Sequence, residues 1–125
     1  MKIEINNGRL VDAANKLDQL QSLYIDGDRI AAIGAAPNGW KADKVIDASG
    51  KLICPGLIDL CARLREPGLE HKATLESELL AAVAGGVTAL VCPPDTDPVL
   101  DEPGLVEMLK RRAGAIDQAR VYPLG

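Results

Sequence analysis

The chain has no phenylalanine, a single tryptophan, two tyrosines and one histidine among its 125 residues. So few aromatic faces leave no base-stacking platform for single-stranded nucleic acid. Hydrophobic residues still make up 47% of the chain, so a core built from Leu, Ile, Val and Ala is expected. Cysteine is sparse as well. Cys54, Cys61 and Cys92 are an odd number with no CxxC pair, which excludes a disulfide framework. No apolar run approaches the roughly 20 residues that span a bilayer. The N-terminus lacks the basic start and apolar stretch of a secretory signal. Positive charge is also in deficit, with a formal net charge of -4. That argues against a phosphate backbone or an anionic membrane as partner. The acidic residues are dispersed rather than gathered in a tail, as on a solvated surface. A reducing cytoplasm is the expected location.

Residues 1–51 read as a small antiparallel β unit. Ile3 and Ile5 alternate with polar neighbours before a turn at Asn7-Gly8. Leu23 and Ile25 alternate again and run into Asp26-Gly27, a hairpin signal, with Ile30 and Ile33 on the far side. Pro37, Asn38 and Gly39 form a loop, and Val45-Ile46 is a further short strand.

From residue 52 onward the pattern becomes β-α-β-α-β. Leu57, Ile58 and Leu60 suit a strand buried on both faces. Thr74 is placed to cap a helix, with Glu76 and Glu78 in its first turn and Leu75, Leu79 and Val83 on its inner side. Gly85-Gly86 stops that helix, and residues 87–92 form a second buried strand. A loop over 93–98 precedes a helix starting near Pro103, with Asp101 as candidate cap and Leu105, Met108 and Leu109 facing inward. A third strand begins at Arg120-Val121-Tyr122. Such units build parallel sheets covered by helices. Three parallel strands leave raw edges, which favour self-association or mark a portion of a longer protein. A small three-stranded α/β domain that ends naturally is the alternative.

In sheets of this kind, chemistry gathers at the C-terminal ends of the strands. Those ends carry the most specific text: Pro-Gly-Leu-Ile-Asp-Leu-Cys-Ala-Arg-Leu-Arg-Glu-Pro-Gly over 55–68 and Pro-Asp-Thr-Asp-Pro over 94–98. Together with Gly85-Gly86-Val87-Thr88, this text resembles the dihydroorotase branch of the cyclic amidohydrolases, which includes allantoinases and hydantoinases. The branch pattern is PGLID, one residue, His-x-His, then Leu-Arg-Glu-Pro-Gly, with GGxT and Pro-Asn-Thr-x-Pro further on. The likeness runs through the whole chain, since residues 1–51 match the β half-sandwich before the barrel and 121–125 the start of its third strand. It implies a partial TIM barrel, the first β-α-β-α-β of a metal-dependent hydrolase, in residues 52–125.

The departures from that pattern carry the functional argument. In the family the His-x-His pair binds a catalytic zinc, and the matching positions here are Cys61 and Arg63. On an extended strand these two would face the same side. A cysteine thiolate can bind zinc. A guanidinium, with donors only and a permanent charge, cannot. His71 lies past the strand and reads as a surface residue. The resemblance assigns the substrate carboxylate to Arg65, with help from an asparagine whose place is taken by Asp95. Arg65 is therefore a vestigial binding residue, expected to pair with Asp95 or Glu66. Catalysis by a Cys61 nucleophile would need a base or a depressed pKa. No catalytic residue and no metal cofactor is expected in this segment. Zinc would otherwise supply both the hydroxide-like nucleophile and the polarised carbonyl.

The resemblance extends to degenerate dihydroorotase homologues that lack the histidines and support aspartate transcarbamoylase, the partner it implies here. Two further readings stay open. One is a divergent amidohydrolase acting on a cyclic amide. The other is a metal-free binder using Arg63 and Arg65 as an anion clamp.

Overall fold

The computed structural model describes residues 1–124, and the expectation that the third strand region reaches Gly125 ends outside them. The chain is mixed α/β and rich in strands. It divides into two compact units, Met1–Pro55 and Gly56–Gly125.

The first unit holds two sheets. One is ordered β5(Arg29–Ile33), β4(Leu23–Asp26), β1(Lys2–Asn6), β6(Lys44–Asp47). The other is ordered β3(Leu17–Leu20), β2(Arg9–Asp12), β7(Leu52–Ile53). The unit is not purely antiparallel, because β6 joins β1 and β7 joins β2 in parallel. Both parallel pairs link segments about 40 residues apart, so no local turn announces them. The β4–β5 hairpin does form at Gly27-Asp28, where Gly27 takes φ +62°, a conformation that a side chain would oppose. The β2–β3 hairpin turns on Asp12, whose carboxylate accepts the N–H groups of Ala14 and Asn15 and the Asn15 side-chain amide. The buried hydrophobic residues of this unit are Leu10, Leu23, Tyr24 and Ala48. Trp40 stands edge-on to Tyr24 at 5.5 Å between ring centroids.

The second unit is a three-stranded parallel sheet of order β10(Arg120–Pro123), β9(Val87–Cys92), β8(Leu57–Asp59), with α1(Leu75–Ala84) and α2(Pro103–Ile116) as its crossovers. Thr74 caps α1. Its hydroxyl accepts the Ser77 N–H, and the Ser77 hydroxyl in turn accepts the Thr74 N–H. Gly85 closes the helix and Gly86 leaves it with φ +81°. The cap of α2 is Glu102 rather than Asp101, with no side-chain bond; Pro103 at the first helical position needs no N–H partner. The core joins Leu64, Leu75, Leu79, Leu90, Cys92, Leu100, Leu109, Ala113 and Ala119.

Besides the cap of α2, the burial expected of Val83 in α1, which is 42% exposed, and of the run at β8 also fails. Leu57 and Ile58 form a short edge strand and are 56% and 64% exposed, and Leu60 beyond it is 73% exposed. An apolar run shows that residues can be buried, not what is there to cover them.

Candidate functional site

The strand-end loops of the second unit lie side by side. β8 stops at Asp59, and Asp59 Oδ1 accepts the Cys61 N–H at 2.9 Å. The chain touches β9 once more, through Ala62 N–H to Val91 O at 2.9 Å. Cys61 and Arg63 therefore lie past the strand, not on two alternating strand positions.

Further along, the two loops are joined by Asp97 N–H to Pro67 O at 3.1 Å. Gly68 lies so close to this junction that a Cβ on it would be 1.7 Å from the Asp97 carbonyl oxygen. Only glycine fits there, and its φ of +91° points to the same residue. Thr96 is buried and donates its hydroxyl hydrogen to Pro98 O at 2.8 Å.

Among the candidate site residues, the structure brings together Arg63 and Asp95. Arg63 Nε donates to Asp95 Oδ2 at 2.5 Å across the two loops, and both side chains remain about half exposed. The hydrogen bond and charge of Asp95, with a smaller share from Cys61, raise the Arg63 guanidinium above its usual value. It stays a fixed cation. Arg65 pairs with neither expected partner: its backbone sits in the left-handed region at φ +65°, and it makes no ion pair among the described residues.

Glu66 has a different task. It is 2% exposed, accepts the Leu75 N–H at 2.8 Å, and is closed by the Arg112 guanidinium of α2. A buried carboxylate at the start of α1 satisfies a free helix N–H and meets the positive end of the helix dipole. The Glu66–Arg112 pair carries no sequence signal, since an acid between Arg65 and Pro67 looks like surface.

His71 is exposed. Nearby Glu70 is held below the usual carboxylate range, chiefly by the Gly68 N–H at 2.9 Å. Cys61 is exposed, while Cys92 is buried and its thiol is pushed up by that burial.

A metal at positions 61 and 63 requires lone-pair donors. Cys61 offers one. Arg63 offers none, and it already spends its charge on Asp95. These two residues do not fit a zinc ion. Among the described residues, no three His, Cys, Asp or Glu side chains are grouped to hold a metal.

A family model described as Dihydro-orotase-like matches residues 50–125, the stretch that contains all of this geometry. The chain belongs to the dihydro-orotase-like family. Over its full length the dihydro-orotase-like chain is 49% identical to a dihydroorotase-like protein of Pseudomonas aeruginosa and 50% identical to one of Pseudomonas putida. It is 43% identical to a dihydroorotase of Syntrophotalea carbinolica. The chain spans 30% of the length of both Pseudomonas relatives and 29% of the third. Among solved structures, an L-hydantoinase (dihydropyrimidinase) from Arthrobacter aurescens superimposes with a TM-score of 0.78 and 26% identity. That match covers 90% of this chain and 25% of the hydantoinase. No helix among the described residues is long and apolar enough to cross a membrane.

Proposed function

We propose that the protein carrying this chain is a non-catalytic dihydroorotase-like subunit that supports the assembly and activity of aspartate transcarbamoylase in de novo pyrimidine biosynthesis. The observation that carries the proposal is the Arg63 guanidinium bonded to Asp95, at the position where the family pattern has a metal-binding histidine. Hydrolysis of a cyclic amide at neutral pH needs an activated water and a polarised carbonyl, which zinc supplies in active relatives. An arginine at that position supplies neither.

The strand order supports placing residues 56–124 at the start of a TIM barrel. Each new strand of β8, β9 and β10 adds on the same side of the last. Barrels grow in that way, whereas doubly wound sheets reverse direction. In this proposal the packing residues keep the fold while the site residues drift, since fold does not fix function. The two relatives at 49% and 50% identity carry the name dihydroorotase-like rather than dihydroorotase, which agrees with it.

A second reading, a divergent hydrolase of cyclic amides, draws on the 43% identity to a protein named dihydroorotase. Assaying aspartate transcarbamoylase with and without the full-length protein separates the two. Dependence of the transcarbamoylase on the protein supports the scaffold. Independence, together with bound metal and ring-opening of dihydroorotate or a hydantoin, supports the hydrolase.

A further inference from the structure

We infer that Arg63 is a built-in cation that takes the place of a metal ion between the ends of β8 and β9, and that Asp95 is its dedicated ligand. The inference rests on the proposal that positions 61 and 63 have left metal chemistry, and it adds what replaced the ion.

Arg63 and Asp95 come from separate loops, 32 residues apart in sequence. Their contact at 2.5 Å runs through Nε. Neither side chain makes another hydrogen bond to a side chain or backbone group among the described residues. Cys61 stands two residues before Arg63 on the same loop, where its backbone N–H is held by Asp59 Oδ1 at 2.9 Å. The cation thus has a carboxylate as its partner and a thiol two residues away in the chain, two kinds of side chain that bind divalent metals when free. The arrangement supplies the positive charge from within the chain. It draws the loops together where the Asp97–Pro67 backbone bond and the Gly68 contact already join them.

Bond counting makes this testable. Arginine Nε and histidine Nε2 are separated from Cβ by the same number of bonds. Arg63→His therefore puts a lone-pair nitrogen at the reach now used to touch Asp95. A metal bound tetrahedrally to both atoms at about 2.0–2.2 Å needs them about 3.4 Å apart, so the two loops must part by about 0.9 Å from the present 2.5 Å contact. One substitution then turns the ion pair of position 63 and Asp95 into two donors, and the proposal expects the Cys61 thiol, two residues away in the chain, to serve as the third.

The test is a cobalt(II) titration of the full-length wild-type protein and of Arg63→His, read by visible and thiolate charge-transfer absorption and by the shift in Tm on adding cobalt or a chelator. The wild type should show no thiolate–cobalt band and no Tm response. Arg63→His should take up one equivalent with that band and a rise in Tm. Adding Cys61→Ser should remove the band, and adding Asp95→Asn should weaken uptake by about 10-fold or more. Arg63→Cys, with a second thiolate, serves if the histidine variant does not fold. A thiolate–cobalt band in the wild type overturns the inference. So does cobalt binding by Arg63→His that is indifferent to Asp95, or no uptake by either folded variant. The transcarbamoylase assay uses the wild type alone, so its failure is distinguishable from failure here.

Discussion

The Glu66 carboxylate accepts the Leu75 N–H at 2.8 Å from a position only 2% exposed. A carboxylate removed from water needs every available partner, and Arg112 supplies the opposite charge from α2. One acid thus fastens the loop after β8 to the start of α1 and to the side of α2. Arg112→Ala leaves the charge buried with a single backbone donor and should cost about 2 kcal/mol. Glu66→Gln keeps an acceptor for Leu75 and loses only the charge-assisted part, so it should cost less. Urea denaturation of the two variants checks the order. A harmless Arg112→Ala would mean that water reaches the Glu66 carboxylate and replaces the guanidinium.

Gly68 should tolerate no side chain. Its Cβ would meet the Asp97 carbonyl oxygen at 1.7 Å, and its φ of +91° disfavours any L residue. Backbone cannot retreat as a flexible side chain can, so Gly68→Ala combines strain with overpacking. We expect a loss of at least about 3 kcal/mol. Gly104 is the control: a Cβ there would find nothing within 4 Å, and Gly104→Ala should be close to neutral. Thermal unfolding of the pair gives the answer, and equal Tm values would refute the close approach.

Much of the second unit is legible in the sequence because its signals are local. Thr74 with Ser77, and Gly85 with Gly86, fix both ends of α1 through chemistry within a few residues. The family text also has a physical reason in places. A Cβ on Gly56 would meet Thr88 Oγ1 at 2.2 Å, so the glycine of Pro55-Gly56 and the threonine of Gly85-Gly86-Val87-Thr88 are two sides of one packing contact. The β2–β3 hairpin escapes a reading by pattern because Leu17-Asp18-Gln19-Leu20 does not alternate, and the parallel pairing of β6 and β7 depends on distant segments. At the candidate site the positions are legible and the partners are not. Asp95 has two arginines within a short stretch to choose from. The left-handed backbone at Arg65 breaks the simple alternation on which choosing between them would rest.

The three thiols should separate by accessibility. Cys54 and Cys61 are exposed, whereas Cys92 has no exposed surface and burial raises its thiol above the usual range. Alkylation needs both access and thiolate, and Cys92 lacks both. Brief iodoacetamide treatment at pH 8 should modify Cys54 and Cys61, and reach Cys92 only after denaturant is added. Peptide mass spectrometry reads the three sites. Native labelling of Cys92 at the rate of Cys61 would mean that this core opens readily.

Acid should weaken the first unit through Asp18. Arg9 grips its carboxylate with Nε at 2.6 Å and a terminal nitrogen at 2.8 Å, diagonally across the β2–β3 ladder. The hydrogen bonds from Arg9 are the main reason that Asp18 lies below its ordinary value of 3.8. A folded-state pKa below the unfolded one means that the unfolded chain takes up the proton first as pH falls. The stabilisation is therefore fully present above the unfolded value and is lost as pH drops through the folded one. Both side chains are more than half exposed, so the effect is small and screened by salt. Asp18→Asn should lower the unfolding midpoint slightly at pH 7 in low salt. The two midpoints should converge as the pH falls below 3.8 and through the depressed folded-state value, where wild-type Asp18 is also losing its charge. A gap that persists unchanged in acid would show that the asparagine perturbs the hairpin by some route other than charge.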